Sequence, residues 1–373
     1  MTKLTEGKGE DEIRSYMKET YLTSDAKIDL SIEIAERERE LLSAIDYENG
    51  YSLYVGIPFC PTTCLYCSFT SFPIKSWEKR MEEYLSALFK EMDYAARTMA
   101  GRTLDTVYFG GGTPTSLSAE HLEMVMRKLK ATFDFSSVKE FTVEAGRPDS
   151  ITEEKLKVLL DYGVTRISIN PQTMKQATLD LIGRRHTVDM VKEKYRLARE
   201  MGFDNINMDL IIGLPEEDLE DVRHTMEEIR ALDPDSITVH SLAIKRAARL
   251  NLFKDEYKEM TFTNNQRIME MTEQYAAKAG MFPYYLYRQK NMKGNFENVG
   301  YAKPEKEGIY NILIMEEKQS ILALGAGAST KFVMNDRIER AENVKDIKNY
   351  IERIDEMIER KKQGYCDYEK NRV

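Results

Sequence analysis

The 373-residue chain is poor in the residues that build disulfide frameworks and metal sites. It contains four cysteines and four histidines, and three of the cysteines lie in one short stretch. A disulfide framework needs cysteines distributed along the chain, so we expect none, which favours a reducing cytoplasm. The chain also lacks an apolar run long enough to cross a bilayer, and its first twenty residues are charged rather than signal-like. Neither membrane insertion nor export is predicted.

Positive charge is also in deficit. There are 54 Lys and Arg against 63 Asp and Glu, which gives a net charge of -9. That balance argues against broad nucleic-acid binding but permits a local basic pocket for an acidic substrate. The hydrophobic content of 42% and charged content of 31% are ordinary for a soluble globular protein. The length suits one large α/β domain with an accessory region, and we expect a monomer.

The three clustered cysteines are Cys60, Cys64 and Cys67, separated by three residues and then by two. A compact run of soft thiolates favours an iron–sulfur cluster or zinc. A cubane held by three cysteines leaves one iron free to bind a small molecule. A closed zinc site would need a fourth ligand nearby, yet the first histidine is His121. The competing interpretation is a trio of buried or metal-storing cysteines without catalysis.

Short apolar runs alternate with helical patterns from Tyr51 onward. The predicted strands are 51–58, 105–110, 139–145, 165–170, 205–212 and 236–242, with helices at 77–99, 118–132, 152–161, 187–201 and 217–231. This alternation predicts a parallel sheet with right-handed crossovers, and a doubly wound sheet would also fit it. Residues 1–48 read as charged helix. After 243 we expect strands at 282–289, 309–315 and 320–325, and a helix at 343–361.

Polar or glycine residues stand at the end of every predicted strand of the alternating part. Barrel-type α/β proteins place their chemistry at the C-terminal ends of the strands. The cysteine loop follows the first strand and Gly110-Gly111-Gly112-Thr113 follows the second. The later strands carry or end in Glu144, Asn170-Pro-Gln172, Asp209 and His240. The sequence therefore predicts one site at this edge of the sheet.

The spacing CxxxCxxC after an apolar strand resembles that of the radical S-adenosylmethionine (SAM) enzymes. The flanking Tyr-x-x-Ile-Pro-Phe-Cys and the stretches GGGTPT, RISINPQT, LIGRRH and NMDLIIGLP resemble the oxygen-independent coproporphyrinogen III oxidase family, in its HemZ-like branch. The match runs from about Tyr51 to Phe332. It implies a partial (β/α)6 barrel over 49–243, after a helical segment over 1–48. Residues 244–373 would then form a small α+β extension that covers the substrate.

The resemblance also implies the cofactors. A [4Fe–4S] cluster would be held by Cys60, Cys64 and Cys67 and would bind SAM. The positions that match SAM contacts in the family are Tyr54, Gly111, Gly112, Thr113, Glu144, Gln172, Arg184 and Asp209. Tyr54 would lie beside both SAM and substrate, and a second SAM would involve Gly112 and Ala243. A reductant such as flavodoxin or ferredoxin would supply electrons. Without the resemblance, Tyr54 reads as a core tyrosine, Glu144 as a loop acid and Arg184 as a solvent-facing charge.

The activity implied is removal of hydrogen from the β-carbon of a propionate on coproporphyrinogen III. Loss of carbon dioxide and one electron then leaves a vinyl group, and two rounds give protoporphyrinogen IX. The propionates would meet cations from Arg246, Arg249, Arg288 and Lys331, and the aromatic strand at 282–289 would support the macrocycle.

Three departures from the family pattern leave the tetrapyrrole open. Gly56 stands where many members carry histidine, and Ser68-Phe69 replaces a further cysteine. The chain also starts shortly before the first barrel strand, whereas HemZ-like relatives carry a longer N-terminal region, as expected of a shortened or truncated member. Two alternatives remain. One is a haem chaperone of the HemW type, although 291–301 contains no histidine. The other is a radical SAM enzyme that modifies haem.

Overall fold

The computed structural model describes residues 7–69, 71–246, 248–253, 257, 259–288, 296–334 and 337–371. The strands are β1 (Tyr51–Ile57), β2 (Phe59–Cys60), β3 (Phe72–Pro73), β4 (Leu104–Gly111), β5 (Glu140–Glu144), β6 (Arg166–Ser168), β7 (Ile206–Ile212), β8 (Ser236–Ser241), β9 (Phe282–Tyr287), β10 (Asn298–Ala302), β11 (Ile321–Leu324), β12 (Ser329–Val333) and β13 (Ile338–Glu342). The six strands predicted for the barrel are thereby confirmed.

The α-helices of the described residues are α1 (Glu10–Tyr21), α2 (Asp25–Leu42), α3 (Met81–Thr98), α4 (Ala119–Thr132), α5 (Glu153–Asp161), α6 (Gln176–Leu181), α7 (Val188–Glu200), α8 (Leu219–Leu232), α9 (Arg249–Leu252), α10 (Gln266–Lys278), α11 (Ile309–Met315), α12 (Ile347–Glu352) and α13 (Ile354–Asn371). The helices predicted between the barrel strands are confirmed. Within the described residues, no helix combines the length and apolarity needed to cross a membrane.

All strands except β2 and β3 belong to one mixed sheet in the order β13-β12-β11-β1-β4-β5-β6-β7-β8-β10-β9. From β1 to β8 the strands are parallel and follow chain order without reversal. A doubly wound sheet reverses its order at a switch point, so that alternative is excluded. The partial barrel is the confirmed fold. Strands after residue 243 extend the same sheet at both edges, and the domain bounds stay a prediction.

One predicted strand is wrong: residues 309–315 form helix α11. The run Ile-Tyr-Asn-Ile-Leu-Ile-Met is apolar enough for either state, and periodicity over seven residues cannot decide between them. The carboxylate of Glu140, on β5, accepts hydrogen bonds from the backbone N–H groups of Ile309 and Tyr310. It therefore caps the helix N-terminus from 169 residues away. Helix α11 in turn brings Tyr310 against Tyr108 of the barrel.

The C-terminal region differs from its prediction in two further ways. The helix predicted over 343–361 is two helices, α12 and α13, the second running to Asn371. Strands β12 and β13 pair antiparallel beyond β11 and were not predicted. The aromatic strand predicted over 282–289 is present as β9, although Gln289 lies outside the described residues.

The barrel strands are apolar on one side and polar on the other. Along β1, Leu53 and Val55 are fully buried and belong to the main hydrophobic core with the surrounding helices. The alternate positions carry polar groups. Thr106 bonds to Ser52 and Asn207 bonds to Ser168 across neighbouring strands, and Asn207 also bonds to Asp209 on its own strand. Barrel interiors are usually filled by branched apolar residues. A polar interior instead indicates a binding cavity.

Candidate active site

A cavity of about 590 Å³ lies at the ends of the barrel strands. That volume falls in the range of small-molecule and cofactor sites. Its lining includes these predicted site residues: Tyr54, Cys60, Cys64, Cys67, Gly111, Gly112, Thr113, Glu144, Gln172, Arg184, Asp209, Ala243 and Lys331. Residues that are distant in sequence thus share one space, as expected for the C-terminal ends of parallel strands.

The three clustered thiols lie beside hydrogen-bond donors. Cys60 Sγ is 3.5 Å from the Thr113 hydroxyl, and Arg147 Nη1 donates to Cys64 Sγ at 3.5 Å. Burial raises the pKa of Cys60 to about 11 and also raises the pKa of Cys67. Buried thiols of this kind stay protonated alone, whereas coordination to a metal deprotonates a thiol outright.

Arg147 is a site residue that the sequence did not reveal. Its side chain is 2% exposed and makes a bidentate ion pair with Asp149, at 2.9 Å from Nε and 2.8 Å from Nη2. Its Nη1 also donates to the Thr62 hydroxyl, at 3.1 Å. The residue therefore ties the cysteine loop to the segment after β5. The sequence signal was weak, because an arginine after a strand is usually solvated.

Residues Gly110 to Thr113, which we call the glycine turn, pack directly on the segment that leads into Cys60. The backbone N–H groups of Gly112 and Thr113 donate to the carbonyls of Ile57 and Phe59, each at 2.7 Å. A Cβ on Gly112 would lie 2.5 Å from the Phe59 carbonyl oxygen, and Gly111 has a φ of +107°. Only glycine fits these positions without displacing backbone. The turn therefore presents bare backbone to the cavity.

Glu144, at the end of β5, is held by Tyr108 of β4, whose hydroxyl donates to the carboxylate. Burial raises the pKa of Glu144 to about 7, although the hydrogen bond from Tyr108 opposes the rise. The Tyr108 ring stacks with those of Tyr54 and Tyr310, with centroids 6.2 and 4.5 Å apart. Burial also raises the pKa of Tyr54. These tyrosines form one aromatic wall beside a carboxylate.

Asp209 is fixed by two neighbours. Asn207 donates to its Oδ1 at 2.7 Å, and His240 Nε2 lies 3.7 Å from its Oδ2. Burial acts to raise the pKa of Asp209, but the bonds from His240 and Asn207 outweigh it and leave the pKa lowered. The tyrosine hydroxyl of Tyr287 lies 3.1 Å from His240 Nδ1. Asp209 therefore presents a charged carboxylate to the cavity.

Gln172 and Arg184 each carry a buried polar atom without a hydrogen-bond partner among the described residues: Oε1 of Gln172 and Nε of Arg184. Gln172 has a φ of 70°, an uncommon backbone conformation for a residue with a side chain. Arg184 donates to the Asn170 carbonyl, and its pKa is raised: burial lowers it, but Tyr66 and Cys64 outweigh that effect. An unpaired buried acceptor is costly unless a ligand completes it.

Of the four cations predicted to bind the substrate, in the described structure one lines the cavity and three do not. Lys331 lines the cavity, where its Nζ also contacts Glu317 Oε1 at 3.1 Å. Among the described residues, Arg246, Arg249 and Arg288 are not part of the lining, and Arg288 Nε lies 3.4 Å from a carboxylate oxygen of Glu297.

Another lining cation was missed in the sequence. Arg166 on β6 is 2% exposed, and its Nη2 donates to the Ser236 hydroxyl at 3.1 Å. No signal in the sequence marked it, because the side to which a charged residue at the start of a strand points depends on its neighbours.

Comparison with known proteins gives a consistent result. The radical SAM superfamily model matches residues 54–229. The oxygen-independent coproporphyrinogen-III oxidase-like protein HemZ of Bacillus subtilis is 44% identical over 96% of this chain and 73% of its own. The chain belongs to this HemZ-like family of the radical SAM superfamily. A second relative, the haem chaperone HemW of B. subtilis, is 34% identical over 82% of this chain and 76% of its own.

The fold agrees with this family. The solved structure of coproporphyrinogen III oxidase (HemN) from Escherichia coli superposes with a TM-score of 0.68 at 25% identity, over 86% of this chain and 73% of that one. The radical SAM superfamily uses a [4Fe–4S] cluster and SAM.

The residues present fit both cofactors of the superfamily. The loop offers three cysteines, one of them beside the cationic donor Arg147; the glycine turn offers backbone, and Gln172 offers an acceptor without a partner among the described residues. Within the described ranges, no three Cys, His, Asp or Glu side chains converge to hold a single metal ion. A cubane does not require such convergence, because each cysteine binds a different iron.

Proposed function

We propose that this protein carries out the oxygen-independent oxidative decarboxylation of coproporphyrinogen III, converting two propionates to vinyl groups and giving protoporphyrinogen IX. The supporting observation is that the cysteine loop, the glycine turn and a polar, aromatic-walled barrel interior line the same cavity. The relatives that support it are HemZ and the oxygen-independent coproporphyrinogen III oxidase of E. coli, which is 27% identical over 83% of this chain.

In this proposal Cys60, Cys64 and Cys67 hold the cluster. When bound, the cluster and SAM supply a carbon-centred radical that can remove a hydrogen atom from an unactivated carbon. The protein positions the reacting groups and excludes water from the site. Arg147 holds the cysteine loop, and Tyr108 orients Glu144 through its hydroxyl. A second SAM, near Gly112 and Ala243, is part of the same proposal.

The remaining side chains divide between SAM and substrate. Asn207 and His240 keep Asp209 charged, and a carboxylate suits a cationic ligand such as SAM. The Tyr54 ring stacks with Tyr108 of β4 and with Tyr310 of α11. Helix α11 contributes Tyr310, Asn311, Ile314 and Met315 to the lining, so it limits access of water from that side. We propose that the tetrapyrrole packs on these aromatic rings.

The substrate propionates need cations inside an acidic protein. Several cations line the cavity, and Arg147, Arg184 and Lys245 lie beside the cysteine loop. Lys331 and Arg166 instead contact Glu317 and Ser236. We propose that Lys331 exchanges its contact with Glu317 for a substrate carboxylate. The roles of Arg246, Arg249 and Arg288 stay predictions, and alanine variants test them: loss of decarboxylation with retained SAM cleavage would support a substrate role.

The deciding experiment is mass spectrometry of an anaerobic reaction containing reconstituted protein, coproporphyrinogen III, SAM and a chemical reductant. We expect products lighter by one and then two formic acid equivalents, each dependent on SAM. The Cys64→Ala variant is the matched control and should give none. A haem chaperone is the second candidate, because HemW is similar over most of both chains. Tight haem binding without release of carbon dioxide would favour it, and covalent change of haem would favour haem modification.

A further inference from the structure

The outer side of the cysteine loop lies against two other segments. The backbone N–H of Leu65 donates to the Ile182 carbonyl at 2.9 Å, and that of Leu250 donates to the Leu65 carbonyl at 3.1 Å. The Thr62 hydroxyl donates to the Gly183 carbonyl at 3.1 Å. Residues 60–69, 71–77, 181–188, 243–246 and 248–253 therefore form one surface around the cluster ligands, which we call the loop face.

The loop face is unusually apolar for an exposed surface. Of the seven large apolar side chains exposed in the described part of the chain, four belong to it. They are Phe69 (69% exposed), Leu252 (61%), Phe253 (46%) and Leu181 (38%). Single exposed apolar residues are normal, but a group of them on joined segments marks an interaction surface.

The charge of the loop face is opposite to that of the protein. Its segments contain five Lys or Arg that are not buried, namely Lys75, Arg185, Lys245, Arg246 and Arg249, and no Asp or Glu, although the whole chain carries -9. Arg184 is buried in the cavity wall, and Glu78, Asp180 and Asp189 directly flank the segments. Arg185, Arg246 and Arg249 are exposed, and none of these three is within 4.0 Å of a carboxylate among the described residues. Lys245 Nζ stands over the Phe69 ring at 5.4 Å, and both side chains also line the cavity, so the loop face adjoins the cavity at this point.

We propose that the loop face is the docking surface for an acidic protein that carries a single electron. This inference rests on the proposed function, because the cluster then needs an electron for each SAM cleaved. In the transfer the carrier is oxidised by one electron and the cluster is reduced by one. An acidic carrier is repelled by the rest of this chain and attracted here, which orients the encounter. Phe69, two residues from Cys67, is the exposed group nearest in sequence to a cluster ligand.

The test compares two electron sources with the reconstituted protein, in the absence of any tetrapyrrole. Reduced flavodoxin is the protein donor and dithionite is the small-molecule donor, with SAM cleavage as the readout. Arg185→Glu and Phe253→Ser, neither of which lines the cavity, should leave the dithionite rate unchanged. Arg185→Glu should raise the flavodoxin concentration for half-maximal rate roughly five- to tenfold, and this difference should shrink at high salt. Phe253→Ser should raise it roughly threefold at every salt concentration.

Binding of oxidised flavodoxin, measured by calorimetry, provides a second readout that does not depend on turnover. Arg185→Glu should weaken it by the same factor. The matched control is Arg97→Glu, which reverses an exposed charge at the end of α3, where the chain turns towards the start of β4 and away from the cysteine loop. Equal losses in Arg97→Glu and Arg185→Glu would overturn the proposal. So would a loss of the dithionite rate, unaltered flavodoxin binding, or binding of anionic vesicles in place of flavodoxin. Failure to decarboxylate coproporphyrinogen would not affect the outcome, since no tetrapyrrole is present.

Discussion

Arg147 should set the reduction potential of the cluster, and Asp149 should oppose it. The guanidinium is buried, with Nη1 3.5 Å from Cys64 Sγ and its other edge against Asp149. At an effective dielectric constant of about 20, a unit charge at this distance interacts with a unit charge on sulfur by about 4–5 kcal/mol. The added electron is shared over the cluster and Asp149 offsets part of the field. We therefore expect a net effect of about 1–2 kcal/mol, or roughly 45–90 mV for one electron.

The two charges allow predictions of opposite sign. Arg147→Gln keeps a hydrogen-bond donor but removes the positive charge, so the reduction potential of the cluster should become more negative by roughly 45–90 mV. Asp149→Asn leaves Arg147 unopposed, so the potential should become less negative, by a smaller amount because Asp149 faces the far edge of the guanidinium.

The assay is a redox titration of the reconstituted variants followed by electron paramagnetic resonance (EPR). Arg185→Gln, which removes an exposed cation of the loop face, is the matched control and should shift the potential little, because solvent screens it. Shifts of the same sign in Arg147→Gln and Asp149→Asn, or none in either, would refute the electrostatic assignment.

Two further predictions concern the cavity. Because the pKa of Glu144 is raised to about 7, its charged form is populated above that pH, and cationic SAM should bind more tightly as pH rises through 7. Tyr108→Phe removes the hydrogen bond that lowers the pKa of Glu144, so the midpoint of the SAM-binding profile should move to higher pH. An unchanged midpoint would show that Tyr108 does not control Glu144. Gly112→Ala should lower thermal stability by about 1–3 kcal/mol, because its Cβ would strike the Phe59 carbonyl. Gly9→Ala should leave thermal stability unchanged, because a Cβ at Gly9 meets nothing within 4 Å. Equal losses of stability in the two variants would contradict the close approach of Gly112 to Phe59.

Much of the fold could be predicted from the sequence, because short apolar strands separated by helical patterns leave few topologies. The position of the site followed from the same pattern, since parallel strands bring their C-terminal ends together. Helix α11 could not be predicted, since its cap, Glu140, lies far away in the sequence. The roles of Arg147 and Tyr108 were missed for a similar reason. Their partners, Cys64 and Glu144, become neighbours only when the strands are placed side by side.

The positions of the substrate cations could not be predicted. Arg246, Arg249 and Arg288 follow a predicted strand end or lie in the covering region, but in the described structure they do not line the cavity. Arg166 does, and its inward position depends on the two-residue period of β6. A charged residue at a strand's start gives no sign of the side to which it points until its neighbours are known.

The proposed chemistry requires that Cys60, Cys64 and Cys67 hold a cubane whose open iron binds SAM. The most direct measurement is iron and sulfide analysis of the anaerobically reconstituted protein, with EPR spectra of the reduced protein recorded with and without SAM. We expect about four irons and four sulfides per chain and a spectrum that SAM alters. Alanine at any one of the three cysteines should abolish both, whereas Cys366→Ala, which changes an exposed residue of α13, should retain both. A protein that held only zinc, or a triple alanine variant that kept its cluster, would contradict the claim.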